Sequence, residues 1–93
     1  MNYKVFIKTK NKSNLTTKNL FEFSQTHKNI TWFFKTIGQH DYELRIEVEN
    51  PELYQEIIRE IRSSFGDNIE ELETVSVFNE LKEDYSTLLE DIE

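Results

Sequence analysis

Apolar and charged residues alternate strictly along residues 41–49, and this is the clearest pattern in the chain. Four apolar positions there alternate with four charged ones: Tyr42, Leu44, Ile46 and Val48 against Glu43, Arg45, Glu47 and Glu49. An alternation with a period of two indicates a strand that buries one face. Residues 38–41, just before it, have the composition of a tight turn. The pattern therefore predicts the bend and second arm of a β-hairpin.

Similar patterns predict three further strands. Residues 3–9 alternate Tyr3, Val5 and Ile7 with Lys4, Phe6 and Lys8. Residues 30–37 form a run that is unusually aromatic between Trp32 and Phe34. Residues 69–78 form the last stretch of this kind. Short runs rich in β-branched and aromatic residues between polar turns are typical of strands.

A first helix is predicted between the first two strands. Asn14, Thr16 or Thr17 can cap its start, and the helix is expected to run to about His27. The apolar side expected to face the sheet consists of Leu15, Leu20, Phe21 and Phe23.

A second helix has the clearest start signal in the chain. Asn50 provides a cap, Pro51 occupies the first helical position, and Glu52 places an acid in the first turn. Gly66 is expected to follow the last turn. Apolar residues recur at helical spacing between these ends: Leu53, Tyr54, Ile57, Ile58, Ile61 and Phe65.

The order strand, helix, strand, strand, helix, strand predicts an α+β fold of the ferredoxin-like βαββαβ class. Such a fold has one four-stranded antiparallel sheet with both helices on one face. If Ile37 pairs with Tyr42, then Phe33 and Ile37 share the helix-covered face, while Trp32 and Phe34 lie on the other face.

The face without helices is expected to be apolar and to need a second layer from another chain. Its expected residues, and hence the expected dimer interface, are Phe6, Trp32, Phe34, Leu72 and Phe78. The alternative is a bulge at Gly38, which reverses the alternation and returns Trp32 to the core.

Composition narrows the function classes. The 93 residues suit one domain, and the absence of cysteine excludes disulfides and thiolate zinc sites. With 18 acidic against 11 basic residues the net charge is −7, which disfavours direct nucleic-acid contact by this chain. The sequence has no membrane-spanning run and no signal-peptide core, so a cytoplasmic protein is expected.

No catalytic motif stands out, so the protein is predicted not to be an enzyme, and no metal or cofactor is expected. His40 and Asp41 are neighbours, but adjacent strand residues point to opposite faces and form no relay alone. Asp41 has two compatible interpretations. It can bond backbone N–H groups near Gly38 in an Asx-type turn, and it can join free loop amides in holding a small ligand.

The hairpin sequence resembles the Lrp/AsnC ligand-binding domain, the effector-sensing half of feast/famine transcription regulators. The resemblance covers residues 3–82 and is strongest in the strand–Gly38-x-x-Asp41-Tyr42–strand segment. It implies dimers formed by apposed sheets in a dimeric α/β-barrel-like assembly, with further association up to octamers. It also implies that amino-acid effectors bind between dimers, at Gly38, Gln39, His40, Asp41 and Thr74.

The chain departs from the family pattern at both ends. The first strand begins too early for a helix-turn-helix, so the chain is either a stand-alone sensing module or the sensing half of a regulator. A ligand-binding domain is predicted over residues 1–82, and an acidic tail with a helical pattern over residues 83–93.

Two alternatives remain at this point. One is an ACT-like amino-acid sensor of a metabolic enzyme, although residues 11–14 lack the glycine that such sensors carry. The other is a cofactor-free dimeric ferredoxin-like enzyme that uses His40 or Asp41 and has a deep pocket between sheet and helices.

Overall fold

The computed structural model describes residues 1–77 and confirms the predicted fold class. Phe78 and the predicted tail at residues 83–93 lie outside the described part. One antiparallel sheet has the strand order β2-β3-β1-β4, and a short 3₁₀ turn (Gly66–Asn68) precedes its last strand. The regular elements are β1 (Asn2–Thr9), α1 (Asn14–Thr26), β2 (Ile30–Lys35), β3 (Tyr42–Glu47), α2 (Pro51–Phe65) and β4 (Ile69–Val77).

A single core lies between the sheet and the two helices. The alternation along β1 and β3 is confirmed, because Val5, Ile7, Leu44 and Ile46 are almost completely buried. The core cluster contains twelve buried apolar residues: Val5, Ile7, Leu20, Ile30, Tyr42, Leu44, Ile46, Val48, Tyr54, Ile57, Ile58 and Ile61. Within residues 1–77, no helix is long and apolar enough to cross a membrane.

The start of α2 is as predicted, because the Asn50 side chain accepts a hydrogen bond from the Leu53 amide at 2.8 Å. The cap predicted for α1 is wrong. Ser13, rather than Asn14, Thr16 or Thr17, accepts the bond from the Thr16 amide at 3.1 Å.

Two residues expected on the buried side of α1 are exposed instead. Leu20 and Ser24 face the sheet, whereas Leu15 and Phe21 lie at the surface. At about 100° per residue, Phe21 is turned by roughly 100° and Leu15 by roughly 140° from Leu20. The buried stripe of this helix is therefore narrower than its apolar composition indicated.

The register of β2 against β3 differs from the expected one by two residues. Lys35, not Ile37, pairs with Tyr42, and Ile37 is fully exposed in the loop. A shift by two residues keeps every side chain on its predicted face, so Phe33 stays on the helix-covered face although it lies opposite Leu44 and not Ile46.

Trp32 and Phe34 accordingly lie on the face without helices, where they are 55% and 40% exposed. The alternative of a bulge at Gly38 is wrong. The irregularity in this strand pair falls between Ile30 and Trp32, and it places Ile30 in the core.

The assignment of Leu72 to the uncovered face is wrong. Leu72 pairs with Ile7 and packs against the core, because cross-strand partners point to the same side of a sheet. Glu73 pairs with Phe6 and Val75 pairs with Lys4, so these two residues of β4 lie on the uncovered face. Val75 is 43% exposed and supplies the apolar surface there that Leu72 was expected to supply.

Candidate functional site

The loop between β2 and β3 is closed at its base by backbone and side-chain hydrogen bonds. The Thr36 amide donates to the Asp41 carbonyl at 2.8 Å, and the Thr36 hydroxyl donates to the His40 carbonyl at 2.7 Å. The Asp41 amide donates to the Ile7 carbonyl at 2.8 Å, which ties the loop to β1. The base of the loop is therefore held by hydrogen bonds within the hairpin and to β1.

Gly38 occupies a conformation that side chains disfavour. Its φ is +125°, and a Cβ atom built there would meet nothing within 4 Å. Glycine is thus required for backbone conformation and not for space.

Replacing Gly38 with alanine is expected to lower the free energy of unfolding by about 1–2 kcal/mol, because alanine is strained at this φ. Urea unfolding followed by circular dichroism measures the loss. Gly66→Ala is the matched control, since Gly66 has an α-helical φ of −54° and an equally open environment. An equal effect of the two changes would contradict the backbone explanation.

The Asp41 carboxylate fastens the hairpin to the end of β1. Its Oδ2 atom accepts hydrogen bonds from the Thr9 amide at 2.8 Å and from the Thr9 hydroxyl at 2.9 Å. Its Oδ1 atom lies 3.7 Å from the Lys12 ammonium. The interpretation of Asp41 as a turn residue that bonds amides near Gly38 is therefore wrong, because its partner is Thr9 on β1. The hydrogen bond from the Thr9 amide lowers the pKa of Asp41 below its ordinary value of 3.8.

The amides at the tip of the loop are available for a ligand. Within the described residues 1–77, the N–H groups of Gly38, Gln39 and His40 donate to no protein acceptor. Consecutive free amides in a tight loop form a concavity that suits an anion. Asp41 Oδ1, which lies beside the Lys12 ammonium, is an acceptor that could take a second cation at the same end of the sheet.

His40 points away from Asp41, to the uncovered face of the sheet. Its Nε2 atom lies 3.3 Å from Glu73 Oε2, and its ring centroid lies 5.2 Å from that of Phe6. Adjacent residues therefore face opposite sides, as expected, and His40 and Asp41 form no relay.

Thr74 does not join the hairpin within one chain. It pairs with Val5 on β1, four residues from Thr9, and a strand rise of about 3.3 Å per residue separates those positions by roughly 13 Å. Thr74 lies near the buried hydroxyl of Tyr54. Burial raises the pKa of Tyr54.

The loop that carries Lys12 is anchored by Asn68, which lies in the short turn before β4. The Asn68 side chain accepts from the Asn11 amide at 2.8 Å and donates to the Asn11 carbonyl at 3.0 Å. These paired bonds hold the backbone of the β1–α1 connection next to Lys12.

Sequence reasoning missed three residues that shape this site: Thr9, Lys12 and Glu73. Thr9 continues the buried series Val5 and Ile7, and a threonine in a buried series is a signal that its hydroxyl needs a partner. The contacts of Lys12 and Glu73 join distant parts of the chain, and no local pattern signals them.

The uncovered face is the second candidate surface. Trp32 and Phe34 stack there, with ring centroids 5.4 Å apart and an interplanar angle of 5°. A small cavity of about 100 Å³ beside Trp32 is lined partly by Lys4 and Arg45. Within the described residues, no three side chains cluster as a metal site.

A protein-family model described as the Lrp/AsnC ligand binding domain matches residues 4–87, which is most of the chain. The chain belongs to the Lrp/AsnC ligand-binding domain family. The match supports the predicted Lrp/AsnC family and not the alternative of an ACT-like amino-acid sensor. No curated protein gives a significant match to the chain.

Solved structures share the Lrp/AsnC fold at low identity. An AsnC family transcriptional regulator from Agrobacterium tumefaciens matches with a TM-score of 0.73 and 19% identity, over 84% of this chain and 50% of that one. A Neisseria meningitidis transcriptional regulator in complex with L-Met matches with a TM-score of 0.70 and 11% identity, over 85% and 50%. A Pyrococcus horikoshii protein matches with a TM-score of 0.65 and 15% identity, over 84% and 90%. The chain therefore spans about half the length of the two regulators.

Proposed function

We propose that this Lrp/AsnC domain is the effector-binding and oligomerisation module of a transcription regulator, and that its effector is an amino acid. The observation that carries the proposal is the hairpin tip. The amides of Gly38, Gln39 and His40, which donate to no acceptor within residues 1–77, directly precede Asp41 in the chain. The chain belongs to a family of ligand-binding domains.

The tip suits both charged ends of an amino acid. The effector carboxylate accepts from the loop amides, and the effector ammonium displaces Lys12 and donates to Asp41 Oδ1. Asp41 Oδ2 stays bonded to Thr9, so binding leaves the hairpin in place. A structurally similar regulator, the Neisseria meningitidis protein, is known in complex with L-Met.

The site lies at a boundary between subunits in the proposed assembly. Ile37, beside Gly38, is a fully exposed apolar residue, and exposed apolar residues next to a ligand site suit a contact with a second molecule. Thr74, which lies apart from the hairpin within one chain, is assigned to the site through a neighbouring subunit. A bound effector then favours one assembly state over another by population shift.

Two copies are proposed to pair through their uncovered sheet faces, and further association of such dimers extends up to octamers. The aromatic pair Trp32 and Phe34 provides an apolar centre for that contact. The net charge of −7 disfavours direct nucleic-acid contact by this chain, so DNA binding is assigned to another part of the regulator.

Asp41→Asn is expected to abolish the rise in melting temperature that the effector amino acid produces in the native protein. Asparagine keeps a carbonyl oxygen for Thr9 but loses the charge that receives the ammonium. The probes are the free amino acids, each compared with its N-acetyl derivative, in a thermal-shift assay at neutral pH. The native protein is expected to respond to a free amino acid and not to its acetylated form.

The control variant is Glu52→Gln, which removes an exposed carboxylate in the first turn of α2, away from the hairpin. Its response is expected to equal that of the native protein. An unchanged response of Asp41→Asn, with native secondary structure, would show that the ammonium binds elsewhere.

A further inference from the structure

The cavity beside Trp32 has two positive charges in its wall. Lys4 on β1 and Arg45 on β3 are direct cross-strand partners on the uncovered face, and both line the cavity. Like charges directly opposite each other on neighbouring strands destabilise a sheet. An anion bound between the two side chains would remove this repulsion, and the net charge of −7 makes such a pair of cations unusual in this chain.

The chain itself does not fully neutralise either cation. Within residues 1–77, the Lys4 ammonium belongs to no ion pair. The Arg45 side chain is 46% exposed, and its Nε atom lies 3.5 Å from Glu43 Oε2. That distance is longer than the roughly 2.7–2.9 Å of a charge-assisted hydrogen bond. Both cations can therefore donate to a bound anion.

The same cavity has an aromatic wall. Trp32 is the strand partner of Arg45, lines the cavity and is 55% exposed. An exposed indole ring offers its face to another planar ring. The cavity volume of about 100 Å³ is somewhat smaller than the roughly 150 Å³ that encloses a benzene molecule. There is therefore room for one small planar group beside Trp32.

A carboxylate in the cavity wall limits the charge of the ligand. Glu47 lies two residues beyond Arg45 on β3, hence on the same face, and lines the cavity. In the described part of the chain its carboxylate belongs to no ion pair. Repulsion between this carboxylate and a ligand grows with the negative charge of the ligand. A singly charged carboxylate therefore suits the wall better than a doubly charged phosphate.

We propose that this cavity binds a small aromatic carboxylate, whose ring stacks on Trp32 and whose carboxylate accepts from Lys4 and Arg45. The site is separate from the proposed amino-acid site at Asp41. Lys4 and Thr9, which bonds Asp41, are five residues apart on β1, or roughly 17 Å at a strand rise of about 3.3 Å. In the proposed dimer the second sheet would cover the cavity and enclose the ligand.

Benzoate is the probe for this site. Trp32 is the single tryptophan of the chain, so the indole fluorescence and the one indole N–H resonance both report on the surroundings of the cavity. Benzoate is expected to shift both signals to saturation, with a dissociation constant on the order of 1 mM. Benzamide, which has a similar shape without the charge, and doubly charged phenyl phosphate are each expected to bind about tenfold more weakly or worse.

Variants of the cavity wall test the roles of the charges. Lys4→Gln and Arg45→Gln are each expected to raise the dissociation constant of benzoate about tenfold, because each loses a charge-assisted hydrogen bond. Glu47→Gln is expected to reduce the preference for benzoate over phenyl phosphate. Lys8→Gln is the matched control, since Lys8 lies on the same strand and face but pairs with Glu70 at 3.8 Å. Its affinity for benzoate is expected to equal that of the native protein.

Several results would overturn the proposal. They are the absence of a benzoate shift, equal shifts with benzamide, and an unchanged benzoate affinity in Lys4→Gln and Arg45→Gln with native secondary structure. A sedimentation coefficient that benzoate lowers would show that carboxylates of a second copy occupy the two cations instead. Asp41→Asn is expected to bind benzoate normally, so the two proposed sites can fail independently. Loss of the benzoate shift in that variant would place benzoate at the hairpin.

Discussion

Replacing Trp32 with aspartate is expected to convert the proposed dimer into a folded monomer. Trp32 is 55% exposed and stacks on Phe34 on the uncovered face, in the edge strand β2. Buried tryptophans are among the residues that contribute most to interfaces, with losses of 2 kcal/mol or more on truncation. Each copy of the proposed dimer contributes one Trp32, so the loss of interface energy occurs twice. The expected total is about 4 kcal/mol, or roughly 1,000-fold in dissociation constant.

The folded state of one chain should tolerate this change. Trp32 lies outside the core cluster, and its strand partner Arg45 is also on the uncovered face. Far-ultraviolet circular dichroism of Trp32→Asp is therefore expected to match that of the native protein, while its sedimentation coefficient falls to the monomer value.

Leu15→Asp is the matched control for exposed apolar surface. Leu15 is 65% exposed, more than Trp32, but it lies on α1 on the opposite side of the molecule from the uncovered face. This variant is expected to sediment as the native protein does. If Trp32→Asp remained dimeric, the sheet face would not be the contact surface.

The sequence was sufficient to predict the fold because its two strongest patterns are local. The alternation along residues 41–49 and the Asn50-Pro51-Glu52 start of α2 each depend on neighbouring residues alone, and both are confirmed. The family resemblance is confirmed independently, over residues 4–87.

The errors arose where long-range pairing decides the outcome. The face of Leu72 depends on its register against β1, since a shift of one residue moves a side chain to the other side of the sheet. Ile37 was expected in the core because β2 was predicted to be two residues longer than it is. In both cases the apolar character of the residue gave no information about whether it pairs with a neighbouring strand, or in which register.

The candidate site shows the same division between local and long-range information. The composition of residues 38–41 predicted a tight turn, and Gly38 has a positive φ of the kind that glycine adopts in turns. The role of Asp41 was only half predictable, because its partner Thr9 is 32 positions away in the chain. The two oxygens of the carboxylate have separate partners, since Oδ2 accepts from Thr9 while Oδ1 lies beside Lys12, and the proposed ligand would use Oδ1.

Asp41→Ala is expected to lower the free energy of unfolding by about 2–3 kcal/mol at neutral pH. The change leaves the amide and hydroxyl of Thr9, a buried residue, without their acceptor. A buried donor that loses its partner costs about 1–3 kcal/mol, and more where the lost acceptor was charged. Asp41→Asn keeps an acceptor for Thr9 and is expected to lose less than half as much.

The pH dependence of stability provides an independent check on this role of Asp41. Its pKa is lower in the folded protein than the ordinary 3.8, chiefly because the Thr9 amide bonds the charged form. A lowered pKa gives stability that is present above pH 3.8 and is lost as the pH falls through the folded value. The native protein should therefore lose stability relative to Asp41→Ala below about pH 4. Urea unfolding of both proteins between pH 2.5 and 7, values chosen to span the ordinary carboxyl range, measures the difference. A gap between the two proteins that stays constant down to the lowest pH would mean that the charge of Asp41 does not stabilise the hairpin.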